Sequence, residues 1–307
     1  MNCLDVLGFS ASALAKKSDG RVAAAEVAEK CGDHLDNGVA PAKTGVAPAK
    51  KNAQVDGIVG DNEPVARVGL AATAGCGLAP VIAAIGSGGK TTLLRSLAAE
   101  LRERGARTVL ATTTHFMPFE SIETVSSGNK AEVEAVLERD GIVCAAAPAA
   151  GRVGAAGKLG PSPIAIDELR LLADMVLVEA DGSKCLPLKL HEGHEPVVPA
   201  DAAAIVCVLG ASGFGQPLAT ACHRTELASE LLGIDPSEAA ATPELVARLL
   251  AAEIERGTIA PTHIVVNQAE GDDARKQATA FAEELRACGV KAPVFAGSIR
   301  NHALERV

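Results

Sequence analysis

The chain has 307 residues, of which 48% are hydrophobic and 2% aromatic, and it contains neither Trp nor Tyr. This length allows one large α/β domain or two small ones, with a core built from Ala, Val, Leu and Ile. The formal net charge of -9 argues against nucleic acid or an anionic membrane as the main partner. It does not argue against a nucleotide, because backbone N–H groups and one or two cations suffice to bind phosphate.

The cysteine pattern and the N-terminal sequence indicate a cytoplasmic protein. The 8 cysteines are spread from Cys3 to Cys288 without a C-x-x-C pair, which is typical of reduced thiols rather than a disulfide framework. The first residues, MNCLDVLGFSASALAKK, lack the basic-then-apolar order of a signal peptide. No apolar run approaches the roughly 18 residues that cross a bilayer, so we expect no membrane partner.

Residues 1–79 do not have the composition of a compact domain. The stretch GVAPAKTGVAPAKK (38–51) repeats one short unit rich in Pro, Gly, Ala and Lys, which predicts a flexible or polyproline-like linker. A short amphipathic helix is expected before it, over Arg21–Lys30. We therefore expect a largely disordered N-terminal segment over 1–79, an insertion without function, followed by one domain over 80–307.

From Pro80 onward, short apolar runs alternate with helical periodicity. Helices are expected at Lys90–Arg104, Lys130–Arg139, Ile166–Leu172, Pro243–Arg256 and Asp272–Ala287. Strands are expected at 81–85, 108–114, 141–147, 175–181, 203–211, 263–268 and 293–297. The alternation predicts an α/β fold with a three-layer, mainly parallel sheet, in which ligands bind at the carboxyl ends of the strands.

The stretch VIAAIGSGGKTTLL (81–94) has the composition of a phosphate-binding loop between a strand and an amphipathic helix. Lys90 would reach the β and γ oxygens of a nucleotide, Thr91 would hold Mg²⁺, and Thr92 joins them in the first helical turn, whose N-terminus points at the phosphates. The backbone that folds around the phosphates would be that of Gly86, Ser87, Gly88 and Gly89. The alternative is a glycine-rich turn that binds nothing.

One position departs from the usual pattern G-x-x-x-x-G-K-[ST]. Ala84 stands where the first glycine is expected. Alanine tolerates ordinary strand torsions, so we expect only a mild defect.

The segment MVLVEADGSKCLPLK ends a predicted strand with two acidic residues. Glu179 and Asp181 are two positions apart and point the same way in an extended strand. One would hold the metal's water shell and the other would orient the attacking water. Gly182 would let the backbone approach the γ-phosphate, and Lys184 with Lys189 would add positive charge. The alternative is a solvated strand end.

Three further segments offer contacts for a second ligand. In ATTTHF, Thr113, Thr114 or His115 would contact Mg²⁺ or that ligand, unless the threonines are simply good strand formers. In HEGHEPVVP, His191 and His194 are either transition-metal ligands or, as we favour, part of a loop that shapes the cleft. The candidate contacts in this loop and beyond it are His194, His223 and Arg224, the last as a phosphate or substrate clamp.

The stretch IVVNQAE (264–270) is similar to the guanine-reading N-K-x-D pattern of GTPases. Asn267 would contact the nucleotide, but Gln268 replaces the lysine and Glu270 replaces the aspartate. Because Glu is longer than Asp, we expect a purine pocket in which ATP is slightly favoured over GTP.

Taken in order, these segments resemble the family of selenium-dependent hydroxylase accessory proteins known as YqeC. The resemblance rests on GSGGKTTLLRSLAAELRERG, VLATTTHF, VLVEADGSKCLPLKLHEGHEPVVP, the pair His223–Arg224 and VVNQAE, with LDVLGFS at the start. It implies a P-loop NTPase fold and a role in maturing selenium-dependent molybdenum hydroxylases, through making or inserting their selenium-containing cofactor. The chain departs from the family in its long linker, in Cys185 where a basic residue is common, and in NQAE.

The leading hypothesis is a Mg²⁺-dependent nucleoside triphosphatase coupled to cofactor maturation, or a P-loop kinase built on the same loop. Lys90, Glu179 and Asp181 would be catalytic, with Mg²⁺ on Thr91 and Glu179. The alternatives are a nucleotide-switched module that escorts a cofactor or docks on the hydroxylase and turns over very slowly, and a metal or cofactor carrier with a vestigial loop. Two further hypotheses are a homodimer and a Cys185 thiol that handles selenium or sulfur.

Overall fold

The structure, a computed structural model, describes residues 1–8, 77–149 and 157–307. The linker over 38–51 and the helix expected at Arg21–Lys30 lie outside the described residues. The described residues belong to one compact unit.

The helices begin and end close to the predicted positions. Thr242, for example, caps its helix by accepting a hydrogen bond from the Leu245 N–H, with Pro243 in the first turn. The helices are α1 (Cys3–Val6), α2 (Lys90–Glu103), α3 (Lys130–Asp140), α4 (Ile166–Leu172), α5 (Leu218–Ala221), α6 (Leu227–Leu232), α7 (Pro243–Glu255) and α8 (Asp272–Ala287). The strands are β1 (Val81–Gly86), β2 (Thr108–Thr112), β3 (Thr124–Val125), β4 (Ile142–Ala145), β5 (Ala147–Pro148), β6 (Leu159–Gly160), β7 (Met175–Glu179), β8 (Leu188–Lys189), β9 (Ala204–Gly210), β10 (Cys222–His223), β11 (His263–Asn267), β12 (Val294–Ser298) and β13 (Ala303–Arg306).

The main sheet has the strand order β13-β12-β11-β9-β1-β7-β2-β4-β3. All neighbouring pairs in it are parallel except β12 with β13. The prediction of a mainly parallel α/β sheet is therefore confirmed. β1 lies near the centre, hydrogen-bonded to β7 on one side and β9 on the other, so the segment that follows it emerges in the middle of the carboxyl edge.

The alternation of side chains along β1 explains the three layers. Val81, Ala83 and Ile85 belong to a buried cluster that also contains the apolar residues of α3, α4, α7 and α8. Ile82 and Ala84 belong to a second cluster on the opposite face, with the leucines of α2 and the apolar residues of α1. Since successive strand residues point to opposite faces, a fully apolar strand requires helices on both sides.

The last strand of the sheet was not predicted. The final strand was expected at 293–297, but β13 adds an antiparallel edge after it. Of its residues only Leu304 is buried, so its sequence carries little hydrophobic signal.

Residues 1–8 also pack on the sheet unit. Glu100 of α2 accepts hydrogen bonds from the N–H groups of Cys3 (3.0 Å) and Leu4 (2.8 Å) at the start of α1. The same carboxylate lies 2.9 Å from His302 Nδ1, and the Leu304 N–H donates to the Met1 carbonyl. A buried carboxylate therefore joins the first residues to α2 and to the β12–β13 turn, while the boundary at 79/80 stays a prediction. Within the described residues, no helix is long and apolar enough to cross a membrane.

We expect Glu100→Gln to lower the free energy of unfolding by about 1–3 kcal/mol, because it leaves a buried N–H group without an acceptor. Cys3, which is buried and whose thiol pKa is raised by burial and by Glu100, should then react faster with thiol reagents. Urea unfolding and mass-spectrometric mapping of labelled cysteines measure both effects. Glu103→Gln, at an exposed position of the same helix, is the control; equal behaviour of the two variants would contradict the assignment.

Candidate functional site

The loop after β1 adopts a conformation that only glycine permits. Gly86, Gly88 and Gly89 have φ angles of 88°, 75° and 140°. A Cβ at these positions would lie 2.4 Å from the Val208 carbonyl oxygen, 2.2 Å from the Gly210 nitrogen and 2.4 Å from Asn267 Nδ2, respectively. All three glycines are thus required both by torsion and by close packing against the ends of β9 and β11.

Ala84 is an ordinary strand residue. It is fully buried, and in register it lies between Glu179 of β7 and Val206 of β9. The left-handed conformations of the loop begin only at Gly86. The strand therefore has no need of glycine at position 84.

The N-terminus of α2 is left open for an anion. Gly89 is its N-cap and supplies no side-chain cap, and the first turn holds no acidic residue. The N–H groups of Lys90, Thr91 and Thr92 have no intrahelical partner, as in the first turn of any α-helix, and they carry the positive end of the helix dipole. This is the usual geometry of a phosphate-binding helix terminus.

Lys90 folds back over the loop. Its ammonium donates to the Gly86 carbonyl at 2.6 Å and lies 3.4 Å from Ser183 Oγ. It also forms ion pairs with Asp181 Oδ1 (3.0 Å) and Glu179 Oε1 (3.8 Å). The side chain is only 3% exposed, so the charge of Lys90 is held where phosphate oxygens would arrive.

Thr91 and Glu179 place two hard oxygen donors side by side. The Thr91 hydroxyl donates to Glu179 Oε2 at 2.9 Å. Glu179 ends β7 and is nearly buried; burial raises the pKa of its carboxyl, although Lys90 and the Thr91 hydroxyl oppose this. A hydroxyl next to a carboxylate beside a phosphate loop fits Mg²⁺.

Asp181 is fully buried and faces the loop backbone. Its Oδ2 accepts the Gly86 N–H at 2.8 Å and lies 2.9 Å from His191 Nε2 and 3.4 Å from Lys189 Nζ. Burial would raise the pKa of Asp181, but Lys90, His191 and Lys189 lower it far below its usual range. Asp181 is therefore a carboxylate that holds the loop, whereas its predicted role toward metal or water stays a prediction.

The segment after Asp181 lies against the loop. The Leu186 carbonyl accepts the Ser87 hydroxyl, and the Gly182 carbonyl accepts the Lys189 ammonium at 2.5 Å. Lys184 and Cys185, between these anchors, are exposed and have φ angles of 50° and 61°. Such backbone conformations are costly for residues with a Cβ.

The second-ligand candidates fall into two groups. Near β7, the Thr113 hydroxyl donates to the Val197 carbonyl at 2.7 Å, the buried Thr114 hydroxyl has no partner among the described residues, and His115 lies near Gly160. Thr112, just before them, is in register with Glu179. This group therefore follows β2, the neighbour of β7, whose last residue is Glu179.

The second group surrounds the loop 191–199. Arg224 pairs with Glu192 and with Glu195, the latter at 2.7 Å, and His223 is in register with Lys189. His194 is 71% exposed and pairs with Glu192, whereas His191 is buried. The two histidines do not come together, and the described residues contain no cluster of three or more metal-ligating side chains.

The site also contains Glu253, which was not predicted, and it gives His191 and Lys189 roles other than the predicted ones. His191 joins Asp181 to Glu253 of α7, with Nδ1 3.1 Å from Glu253 Oε1. Lys189 and His191 both contact Asp181 in the structure. The sequence signal for Glu253 is its place after Val246, Leu249 and Leu250 on one helix face. An acidic residue in an apolar helical stripe requires a buried partner.

Asn267 supports the loop. Its Nδ2 donates to the Gly88 carbonyl at 2.9 Å and its Oδ1 accepts the Ile299 N–H at 3.0 Å. The backbone of Gln268 has a left-handed φ angle, and its side chain accepts a hydrogen bond from the Ser212 hydroxyl. Glu270 is exposed. The amide of Asn267 thus couples the ends of β11 and β12 to the phosphate loop.

Comparison with known proteins confirms the expected family resemblance. The sequence profile of the family described as YqeC protein matches residues 82–226. The protein named "Uncharacterized protein YqeC" from Escherichia coli strain K12 is 35% identical over 173 residues, which is 54% of this chain and 66% of that protein. The chain thus spans about two thirds of the length of this curated relative.

Solved structures show more distant likenesses. Chloroplast FtsY from Physcomitrella patens is 15% identical, with a TM-score of 0.35, over 75% of this chain and 62% of that chain. The hydrogenase maturation factor HypB from Archaeoglobus fulgidus is 11% identical, with a TM-score of 0.37, over 73% of this chain and 83% of that chain. Likenesses at this level carry no information about a ligand.

We expect Ala84→Gly to leave the affinity for Mg²⁺-nucleotide unchanged and to lower the free energy of unfolding by about 1–2 kcal/mol, because a buried methyl group is lost and glycine is less favourable in a strand. Calorimetric titration and urea unfolding measure the two quantities. Gly88→Ala is the opposite case, since its Cβ would overlap the Gly210 backbone; it should abolish binding. Tighter binding by Ala84→Gly would show that the first glycine is needed after all.

Proposed function

We propose that this chain, whose residues 82–226 belong to the YqeC family, binds a Mg²⁺-nucleoside triphosphate at the carboxyl edge of its sheet and hydrolyses it. The observation that carries the proposal is the convergence of Lys90, Thr91 and Glu179 at the open N-terminus of α2. The family resemblance supports a role in the maturation of selenium-dependent molybdenum hydroxylases in the cytoplasm.

Each group has a defined task in this proposal. The N–H groups at the start of α2 and the Lys90 ammonium bind the β- and γ-phosphates and stabilise the charge of the transferring group. Thr91 and Glu179 would hold Mg²⁺, which would supply positive charge against the phosphates. Asp181 fixes the Gly86 N–H and Lys90, so that the loop is ordered before the nucleotide arrives.

The base is proposed to be adenine. Gln268 is engaged with Ser212, and the exposed Glu270 replaces the shorter aspartate of the guanine-reading pattern. Asn267 spends both amide atoms on the protein. Gln268 and Asn267 are thus engaged within the protein, and Glu270 is longer than the aspartate it replaces, which favours ATP over GTP.

A nucleotide-switched docking module is the second candidate. It is supported by Asp181, which is fully buried and hydrogen-bonded to the loop. Because Asp181 is engaged in this way, Glu179 is the other acidic side chain beside Lys90 and Thr91. Nucleotide turnover that is slow for the protein alone and rises when a molybdenum hydroxylase is added would favour the switch. Fast turnover without a hydroxylase would favour the enzyme.

We expect Lys90→Ala to abolish calorimetrically detected binding of ATP with Mg²⁺, because it removes the ammonium that meets the phosphates. Calorimetry suits a chain without Trp or Tyr. Lys130→Ala, which removes an equal charge from an exposed ion pair with Glu168, is the matched control. Binding that survives in Lys90→Ala, or is equally reduced in both variants, would refute the site.

We expect Thr91→Ala to reduce the enhancement of ATP affinity by Mg²⁺ while leaving the weak, Mg²⁺-free affinity unchanged, because the variant keeps the backbone N–H and loses only the hydroxyl. Titrations in Mg²⁺ and in EDTA separate the two terms. Thr279→Ala, whose hydroxyl bonds within α8, is the control. Equal Mg²⁺ enhancement in wild type and Thr91→Ala would exclude Thr91 as a metal ligand.

A further inference from the structure

We propose that His191 is a positioning residue of the nucleotide site: its ring, fixed between Asp181 and Glu253, holds the Asp181 carboxylate against the phosphate loop. The effect on nucleotide rests on the function proposed above. The geometry of the three side chains stands without it.

The three side chains form one continuous buried chain of contacts. His191 Nε2 lies 2.9 Å from Asp181 Oδ2, and Nδ1 lies 3.1 Å from Glu253 Oε1. Each of the three side chains is at most 1% exposed. The chain runs from the loop, through Asp181, to the last turns of α7.

Both ring nitrogens face acceptors, which fixes the role of the ring. The Asp181 carboxylate, whose pKa is lowered by Lys90, His191 and Lys189, accepts hydrogen bonds, so Nε2 donates to it. Nδ1 contacts Glu253 Oε1 on the other side of the ring. The ring therefore has a directed contact at each nitrogen, and it cannot turn without breaking one of them.

Glu253 anchors the ring. Its Oε1 accepts the His191 backbone N–H at 2.5 Å as well as Nδ1, while its Oε2 has no partner among the described residues. Every described hydrogen bond of this buried carboxylate thus goes to His191. An acid placed on the apolar face of α7 is explained by this single partner.

Asp181 needs the ring for its direction. The Gly86 N–H and His191 Nε2 both bind Oδ2, whereas Lys90 pairs with Oδ1. Without the ring, Lys189 at 3.4 Å is the nearest remaining side-chain donor to Oδ2, and it is also bound to Glu195 and the Gly182 carbonyl. Only the Gly86 N–H and Lys90 would then direct the carboxylate, with one directed bond fewer to oppose its rotation away from the loop.

Two amide variants separate this role from a merely structural one. The amide nitrogen of Gln reaches about as far as Nε2 and that of Asn about as far as Nδ1, so His191→Gln keeps a donor toward Asp181 and His191→Asn keeps one toward Glu253. We expect His191→Gln, which keeps the donor toward Asp181 but loses the side-chain contact to Glu253, to bind Mg²⁺-ATP only a few-fold more weakly than wild type. We expect His191→Asn to bind it about 10-fold or more weakly, as for loss of a hydrogen bond to a charged group. Equal affinities, or a weaker His191→Gln, would overturn the proposal.

A nucleotide-independent measurement distinguishes this proposal from the function on which it rests. In protein labelled with ¹⁵N-glycine, the amide resonance of Gly86 reports its bond to Asp181. It should shift clearly in His191→Asn and less in His191→Gln, which keeps the donor toward Asp181. If wild type binds no nucleotide but this pattern is found, the proposed function fails and the positioning role stands; an unshifted resonance in His191→Asn overturns the role.

A variant on α7 keeps the proposal testable if His191→Asn does not fold. Glu253→Leu fits the apolar face formed by Val246, Leu249 and Leu250, so we expect it to fold. Because this variant removes the carboxylate that anchors the His191 ring, the Gly86 resonance should shift and the affinity for Mg²⁺-ATP should fall several-fold. Unchanged affinity and an unchanged resonance would show that Glu253 and the ring do not act on the loop.

Discussion

The charged carboxylate of Asp181 is completely buried, and the groups at the carboxyl edge of the sheet are arranged so that they compensate its charge. An isolated buried charge is costly, and it is tolerated only when directed donors and opposite charges surround it. Here the donors are Lys90, Lys189, His191 and the Gly86 N–H. Because they come from different segments of the chain, satisfying one carboxylate brings the loop, α2 and the segment after β8 into a single arrangement.

The parallel sheet provides the frame for this arrangement. The carboxyl ends of neighbouring parallel strands meet at one edge, and so Glu179, Gly210 and Asn267 end their strands around the loop. Gly88 and Gly89 pack so closely against Gly210 and Asn267 that no side chain fits at either position. The shape of the loop is therefore set by the Gly210 backbone and the Asn267 side chain as much as by its own torsions.

Local patterns explain why much of this could be predicted from the sequence. Apolar runs, helical periodicity and the GGKTT ending are signals within a few residues, and the strands, the longer helices and the loop follow from them. The role of His191 depends on Asp181 and on Glu253, 10 and 62 positions away along the chain, and no local pattern encodes such pairs. β13 was missed for a related reason, since an exposed edge strand that gains its stability from β12 needs few apolar residues.

The charges at the carboxyl edge of the sheet also explain why a triphosphate without a metal ion is expected to bind weakly there. The ammonium of Lys90 already lies 3.0 Å and 3.8 Å from two carboxylates, so its charge is largely compensated before any ligand arrives. Phosphate oxygens brought to Lys90 would approach Glu179, and like charges at such distances repel strongly where water is excluded. A divalent cation on the oxygens of Thr91 and Glu179 would remove this repulsion and restore the attraction of Lys90 for phosphate. Metal and nucleotide are thus expected to bind as one unit, and the acidic residue that closes β7 is the reason.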